Sequence, residues 1–592
     1  MRRREAAAAL AGVVVLALAA CDGRVTDRHG RGAFDGGRAY DVPVAATQDP
    51  GRQGPAPDVP GAVRGGTLTV YLPGAPGLNT LDPTEGWSAP GNAIQQALVS
   101  RSLTQYARGD DGQPVLVPDL ATDLGSHNED FTRWTFTIRD DATWEDGSPV
   151  TPEEVAFGIC RSLDAEVFPA GPGAEYATTY FAGADEYDGP YTGDDPLCRD
   201  YPGIAVSGQD VTIEMSRPFP DMAYLGSVMA MGPAPLGDAS DPATYSRRPL
   251  SNGPYKVASW EPGERLVLVR NDAWDAGSDP ARHQYVDRFV FELDQDQAKV
   301  DEIMLSGSSN SEAAVSTSLA ADRYVEAEES LGDRLVQQST QCLTTLTPDY
   351  TKITDLRVRK ALAYAYPYED AWIAGGEVPG VTRVPAGPVM PPGMTGRQEF
   401  QVDGRQITYD PAKARALLAE AGYDADRPYP ITMVYNALDP LARDAQSQVT
   451  AGFEASGFEV RAIPLQSSPY SVWLDPDDKV NRALNLRGVN WCPLWPTGSA
   501  MLPPLLRSGA AFNTAHFDEP AVDAAMDAIA SLPIEDQAAA WGALDESVMT
   551  EQFPVIPTGY VNRLFAFGSR VGNPTGDGSL GTPNYRDLYV VP

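Results

Sequence analysis

Side chains able to do covalent or metal chemistry are scarce in this chain of 592 residues: five cysteines and four scattered histidines, His29, His127, His283 and His516. No C-x-x-C occurs, so a zinc knuckle or a thioredoxin-like redox centre has no support. The nearest approach to a nucleophile elbow, Gly86-Trp87-Ser88-Ala89, meets Pro90 where G-x-S-x-G needs its final Gly. Neither H-E-x-x-H nor the phosphate loop G-x-x-x-x-G-K-[ST] is present. Gly576-Asp-Gly-Ser-Leu-Gly581 has the G-x-G-x-x-G spacing, but it ends eleven residues before the C-terminus. That leaves no room for the helix and second strand of a dinucleotide site. Paired carboxylates cannot be singled out among 81 acids. The expectation is a protein that is not an enzyme and has no metal or cofactor; a secreted hydrolase acting on cell-wall or peptide substrates is the alternative.

Charge narrows the partners. The chain carries 45 Lys+Arg against 81 Asp+Glu, a formal charge of -36. Nucleic-acid binding needs clustered cations to neutralise phosphates, so this balance points away from it. An anionic lipid surface would repel the same field. Hydrophobic residues make up 42% and aromatics 9%, ample for a folded body.

The N-terminus carries an address. Arg2-Arg3-Arg4 precedes an apolar run from Ala6 to Ala20, short for a membrane span and suited to a secretory signal. It ends Leu18-Ala19-Ala20-Cys21, which resembles a bacterial lipobox. Residues 1–20 are thus expected to be a signal peptide and Cys21 the lipidated residue, holding the protein to the outer face of the cell membrane. From Asp22 to Arg64, eight Gly, five Pro and six Arg leave few large apolar side chains, so 21–64 reads as a lipidated Cys and flexible linker. The remaining four cysteines suggest two disulfides in an oxidising compartment, with three possible connectivities. Proximity favours Cys160–Cys198 and leaves Cys342–Cys492; four free thiols are the competing reading.

The elements beyond are mixed. Thr67 to Leu72 reads as the first strand, and Arg133 to Arg139 alternates with Trp134, Phe136 and Ile138 on one face. Thr151-Pro152-Glu153-Glu154 makes a capping box ahead of Val155, Ile159 and Leu163. Val211 to Met215 alternates again, and Tyr255–Trp260 and Arg265–Arg270 flank a Pro-Gly turn as a hairpin. Helices follow after Asp410-Pro411 and at Pro520. Pattern alone gives a large α/β or α+β body.

These segments, in order, resemble the family 5 extracytoplasmic solute-binding proteins of bacterial ABC transporters, the oligopeptide, dipeptide and nickel-binding type. The resemblance runs from Gly66-Thr-Leu-Thr-Val70 and Leu81-Asp82-Pro83 through Val117-Pro-Asp-Leu-Ala121 and Trp134–Asp140 to its strongest stretch, Trp144–Phe157. It continues through Asn252–Val257, Leu268–Asn271 with Trp274, Asp355–Ala365, Tyr409–Gly422 and Pro554–Pro557. The resemblance implies an α/β, two-lobed periplasmic-binding-protein-like fold of class II with the ligand cleft between lobes. Lobe I would comprise 66–340 and 563–592, and lobe II 341–562. It also supports Cys342–Cys492, since some peptide-binding members join the hinge crossing to a Trp-Cys segment, here Trp491-Cys492. Its partners would be a peptide or small-molecule ligand and a membrane permease with its ATPase, served by a monomer. A binding protein that signals or scavenges cell-wall peptides without an importer has the same sequence signature.

Peptide-binding members place an Asp two residues after that Cys to pair with the peptide's α-ammonium, and here the position holds Leu494. Trp87, Tyr435, Asn436, Trp491, Leu494 and Trp495 are the expected ligand-lining residues, with Trp favoured for its rigid contact area and single donor. Ordinary core packing competes for each Trp. Arg383 and Arg507 are candidates for an anionic ligand group, although surface solvation is the plainer reading of both.

Overall fold

The computed structural model describes residues 47–592 except 74–77, 79, 87, 111, 170 and 194. Its centre is a nine-stranded sheet built where apolar and polar residues alternate. Thr67–Pro73 buries Leu68, Val70 and Leu72 while the residues between them stay more exposed, which is the period-two pattern of a strand covered on one face. It runs parallel to Arg288–Gln295 on one side and Ala314–Ser316 on the other. The predicted hairpin is present as Tyr255–Glu261 against Arg265–Arg270, with Gly263 at φ +78° in its turn. Beyond Ala314–Ser316 the order continues through Ile556–Phe567, Leu335–Pro348 and Leu486–Trp491, all antiparallel.

Leu335–Pro348 and Ile556–Phe567 are the two long strands on which the chain leaves the first part of the molecule and returns. They pair directly, Leu335 opposite Ala566 and Ser339 opposite Asn562. The register breaks between Ser339 and Cys342, where Gln341 adopts φ +54°, a conformation that strains a residue with a Cβ. On the facing strand the break falls between Asn562 and Val561.

Three large apolar clusters flank the sheet. One gathers residues between Leu343 and Tyr560. A second collects Leu103 to Met231 together with Trp495 and Ala500. The third packs Leu68–Val99 and Tyr255–Leu293 against Phe565–Val590. Within the second, Arg133–Thr137 buries Trp134 and Phe136 in a four-stranded antiparallel sheet. The capping box closes as expected: Thr151 Oγ1 accepts from the Glu154 N–H, and Glu154 Oε2 accepts from the Thr151 N–H. The helix Pro152–Arg161 then buries Val155 and Ile159. Cys160–Cys198 and Cys342–Cys492 are both bonded.

Buried ion pairs fix the loops between these elements. Arg101 and Arg282 share Asp119, at 2.6 and 2.9 Å, with all three side chains at most 1% exposed. Arg161 Nη1 and Nη2 donate to the two oxygens of Asp82 at 2.7 and 3.0 Å, which secures the Leu81-Asp82-Pro83 turn to the capped helix. Buried guanidinium–carboxylate forks of this kind specify geometry as well as energy.

One expectation is corrected. The linker does not extend to Arg64, because 47–64 lies against the folded body. Thr47 and Gln48 pair in parallel with Val115 and Leu116. The Ala56 N–H donates to Asp279 O at 2.9 Å and the Val59 N–H to Tyr285 Oη at 3.1 Å, and both Ala56 and Val59 are buried. Backbone hydrogen bonds hold this arm, so it needs no apolar stripe. The signal peptide, Cys21 and the rest of the expected linker lie outside the described residues. No helix among the described residues is long and apolar enough to cross a membrane.

Candidate ligand-binding site

The Trp-Cys segment ends the strand Leu486–Trp491, in which Thr344 faces Asn490 and Leu343 faces Trp491 across the ladder. Trp491 turns into the core, donating from Nε1 to Ala500 O at 2.8 Å with its ring 4.7 Å from Phe512. It is 5% exposed and belongs to the apolar cluster between Leu343 and Tyr560. Cys492 is bonded to Cys342, so the loop that follows departs from a fixed point.

That loop, 493–500, meets the core formed by 103–231. Trp495 is buried with its ring 5.0 Å from Tyr176 and 6.0 Å from Phe219, and its Nε1 donates to Ser499 Oγ at 2.8 Å. Leu494 rests half-buried on the same core. A carboxylate does lie nearby, contributed from the other side. Asp221 is 2% exposed, and its Oδ2 accepts from the Thr497 hydroxyl at 3.2 Å and from the Ser499 hydroxyl. Burial raises Asp221 to about 6, against hydrogen bonds from Ser499, Thr497 and Trp495 that lower it.

A second polar patch lies on the strand itself. Tyr470 Oη accepts from the Asn490 N–H at 2.7 Å and donates to Asn490 O at 3.3 Å. Trp473 packs edge-on against Tyr470 at 5.3 Å and approaches Gly488, where an added Cβ would sit 3.3 Å from its Cη2. Asn490 Oδ1, Trp473 Nε1 and Arg383 Nε are buried without a hydrogen-bond partner. An unpaired buried polar atom costs about 1–3 kcal/mol, so such a set is unusual unless something completes it.

The other expected residues are placed differently. Tyr435 and Asn436 end the strand Tyr429–Asn436 half-buried, and Asn436 Oδ1 accepts from the Leu438 N–H at 3.0 Å. Trp87 lies outside the described residues. Arg383 is engaged by Glu377 and by Thr344 Oγ1, and Arg507 pairs with Asp527 at 2.8 Å, so neither is a free cation. A separate cavity of about 750 Å³ lies between the hairpin at 104–118, the start of the first crossing strand and the C-terminal segment; Tyr106, Gln338, Val381, Asp577 and Arg586 line it. None of the sequence-expected residues borders it. Asp221, Tyr470, Trp473 and Asn490 were missed as site residues. Only Asn490, next to Trp491, had a local signal.

Residues 115–513 match the bacterial extracellular solute-binding proteins, family 5 Middle, and the chain belongs to this family. It is 25% identical over 524 residues to the periplasmic oligopeptide-binding protein OppA of Escherichia coli, covering 87% of this chain and 91% of that one. It is 23% identical over 487 residues to the periplasmic murein peptide-binding protein MppA of the same organism, covering 81% of this chain and 85% of that one. Among solved structures, clavulanic acid biosynthesis oligopeptide binding protein 2 superposes with a TM-score of 0.78 at 25% identity, covering 93% of this chain and all of that one (100%). The fold is the mixed α/β fold of family 5 periplasmic binding proteins, and these relatives are binding proteins.

Acid titration offers a check on the buried carboxylates. Burial raises Asp221 to about 6, Asp301 to about 6 and Asp545 to about 7, all above the ordinary value for an unfolded chain, about 3.9. The folded state therefore binds protons before the unfolded state does, and stability rises as pH falls from about 7.5 through this range. The gain is complete near pH 4. Further acidification removes stability: Asp279, which burial would raise, is held at about 2 by Arg282 and Arg101. Thermal melts should peak between about pH 4 and 5.5, and Asp545→Asn should flatten the rise. A melting temperature that climbs steadily from pH 5 to 8 would contradict these assignments.

Proposed function

We propose that this protein is the extracytoplasmic receptor of an ABC importer. It is a lipid-anchored monomer that encloses a peptide or peptide-like solute between lobe I (66–340 with 563–592) and lobe II (341–562) and delivers it to a membrane permease. The observation that carries this reading is the set of unpaired polar atoms beside the Trp-Cys segment: one acceptor on Asn490 and donors on Trp473 and Arg383. An amide backbone supplies the complementary donors and acceptors. Two long paired strands link the lobes, so ligand contacts made from both sides would favour the closed arrangement.

The test is ligand identification. Mass spectrometry of the denatured, freshly purified protein should release a peptide-like solute. Peptide pools should raise the melting temperature with the logarithm of their excess, as expected for a ligand that binds only the folded state. Failure of every pool, combined with turnover of a chromogenic hydrolase substrate, would replace the receptor reading with the hydrolase one. Cys21→Ser should release the protein from the membrane fraction.

A further inference from the structure

We propose that His283 is a proton-operated latch: as an imidazolium it fastens the N-terminal arm, 47–64, to the C-terminal segment, and its deprotonation lets the arm come away. The latch is independent of the solute-receptor reading. Only its effect on the reach of the protein rests on the lipid anchor at Cys21.

The geometry asks for two protons on one ring. His283 Nδ1 lies 2.9 Å from Asp587 Oδ1, and Nε2 lies 3.1 Å from Pro57 O. Both partners are acceptors, and the Asp587 carboxylate also accepts from Asn584 Nδ2 at 2.9 Å. Neutral imidazole carries one N–H, whereas imidazolium donates from both nitrogens. Loss of the proton therefore breaks one of the two bonds. Either Pro57 O is released, or a bare nitrogen is left facing a carboxylate whose side chain is 2% exposed.

The position of the ring makes it a junction. It stacks on Tyr285 with centroids 4.6 Å apart and planes 12° from parallel. Tyr285 Oη accepts from the Val59 N–H at 3.1 Å, and Tyr589 Oη donates to Pro60 O at 3.5 Å. Residues 57–60 are thus gripped by His283, Tyr285 and Tyr589 together. Among the charged groups nearby, Asp587 faces the ring directly, while Asp279 on the same loop is paired with Arg282 and Arg101. Arg586, next to Asp587, is turned to Asp577 at 3.0 Å. The arm brings Asp58 and Arg64, which act with opposite sign on the stacked Tyr285.

Burial lowers the His283 pKa, the bond to Asp587 and the fields of Asp587 and Asp279 raise it, and the balance is a rise. The contribution of this ring to docking is therefore complete below the ordinary histidine value, about 6.5, and is lost as pH climbs through the raised one. The released arm would add up to about 60 Å of extended chain between Cys21 and the body.

The experiment is hydrogen–deuterium exchange of the mature protein at pH 6 and pH 9, normalised to intrinsic exchange rates. Peptides within 52–62 should lose about tenfold in protection at pH 9, the effect of one hydrogen bond to a charged group, while the strand Thr67–Pro73 keeps its own. His283→Gln should leave the arm equally loose at both pH values. The histidine ring signal absent from the NMR spectrum of that variant should titrate above 6.5 in the wild type. Equal protection of 52–62 at both pH values overturns the latch, as does a His283 signal that titrates below 6.5. A pH-dependent loss that persists undiminished in His283→Gln overturns it too. Should that variant fail to fold, the wild-type exchange and a titration of all the histidine signals decide alone, a set with none above 6.5 overturning it. None of these outcomes touches the receptor reading, and Cys21→Ser tests the anchor separately.

Discussion

Replacing Cys342 and Cys492 together by alanine should cost about 5 kcal/mol of stability, the chain-entropy value for a loop spanning 150 residues. The same replacement at Cys160 and Cys198, which close 38 residues, should cost about 4 kcal/mol. The larger effect should also be the more damaging to binding. Cys492 ties the start of the 493–500 loop to the first crossing strand, and that loop carries Trp495, Thr497 and Ser499 to Asp221. Without the bond, the loop loses its fixed starting point, and any ligand bordered by it would bind more weakly. Denaturant titration of both double variants checks the ranking. Equal midpoints for the wild type and the Cys342/Cys492 variant would contradict it.

The second large effect belongs to Asp119. Asp119→Ala removes the closer of the two carboxylates that Arg101 and Arg282 share, at 2.6 and 2.9 Å, leaving Asp279 to serve two buried guanidiniums. Stranding a buried charge typically costs about 3–5 kcal/mol. The loss would spread beyond the pair. Arg101 Nη2 also donates to Ser278 O, and the Asp279 carbonyl holds the Ala56 N–H, so the arm at 47–64 should loosen with the network. Limited proteolysis near Ala56 would report that loosening, and melting would report the stability loss. As a control, Glu214→Ala, which breaks the exposed pair with Arg133, should cost at most about 1 kcal/mol.

What the sequence revealed was governed by range. The capping box at Thr151, the alternation through Trp134 and Phe136, and the Pro-Gly hairpin are local, each set by residues within one turn or one pleat. The ordered motifs carried the family. The arm at 47–64 was misread because its docking rests on backbone groups, which composition does not reveal. Asp221 was invisible for a different reason: its partners lie 276 and 278 positions away, and nothing in Phe219-Pro-Asp-Met222 distinguishes it from a surface acid. Trp491 and Trp495 share one short segment, yet one fills the core gathered between Leu343 and Tyr560 and the other joins the core of 103–231. Only the strand register and the bond at Cys492 separate them.

The pairing of Ser339 with Asn562 has a consequence for how such a protein can be altered. The chain enters and leaves 341–562 at directly opposed residues of two hydrogen-bonded strands, so that whole stretch is an insertion into a hairpin. Any module with similarly close ends can be spliced there without rerouting the rest of the chain. The stretch 341–562 is therefore exchangeable as a cassette. A chimera that takes 341–562 from a relative should keep this protein's remaining strands while acquiring the donor's counterpart of the Trp491-Cys492 segment.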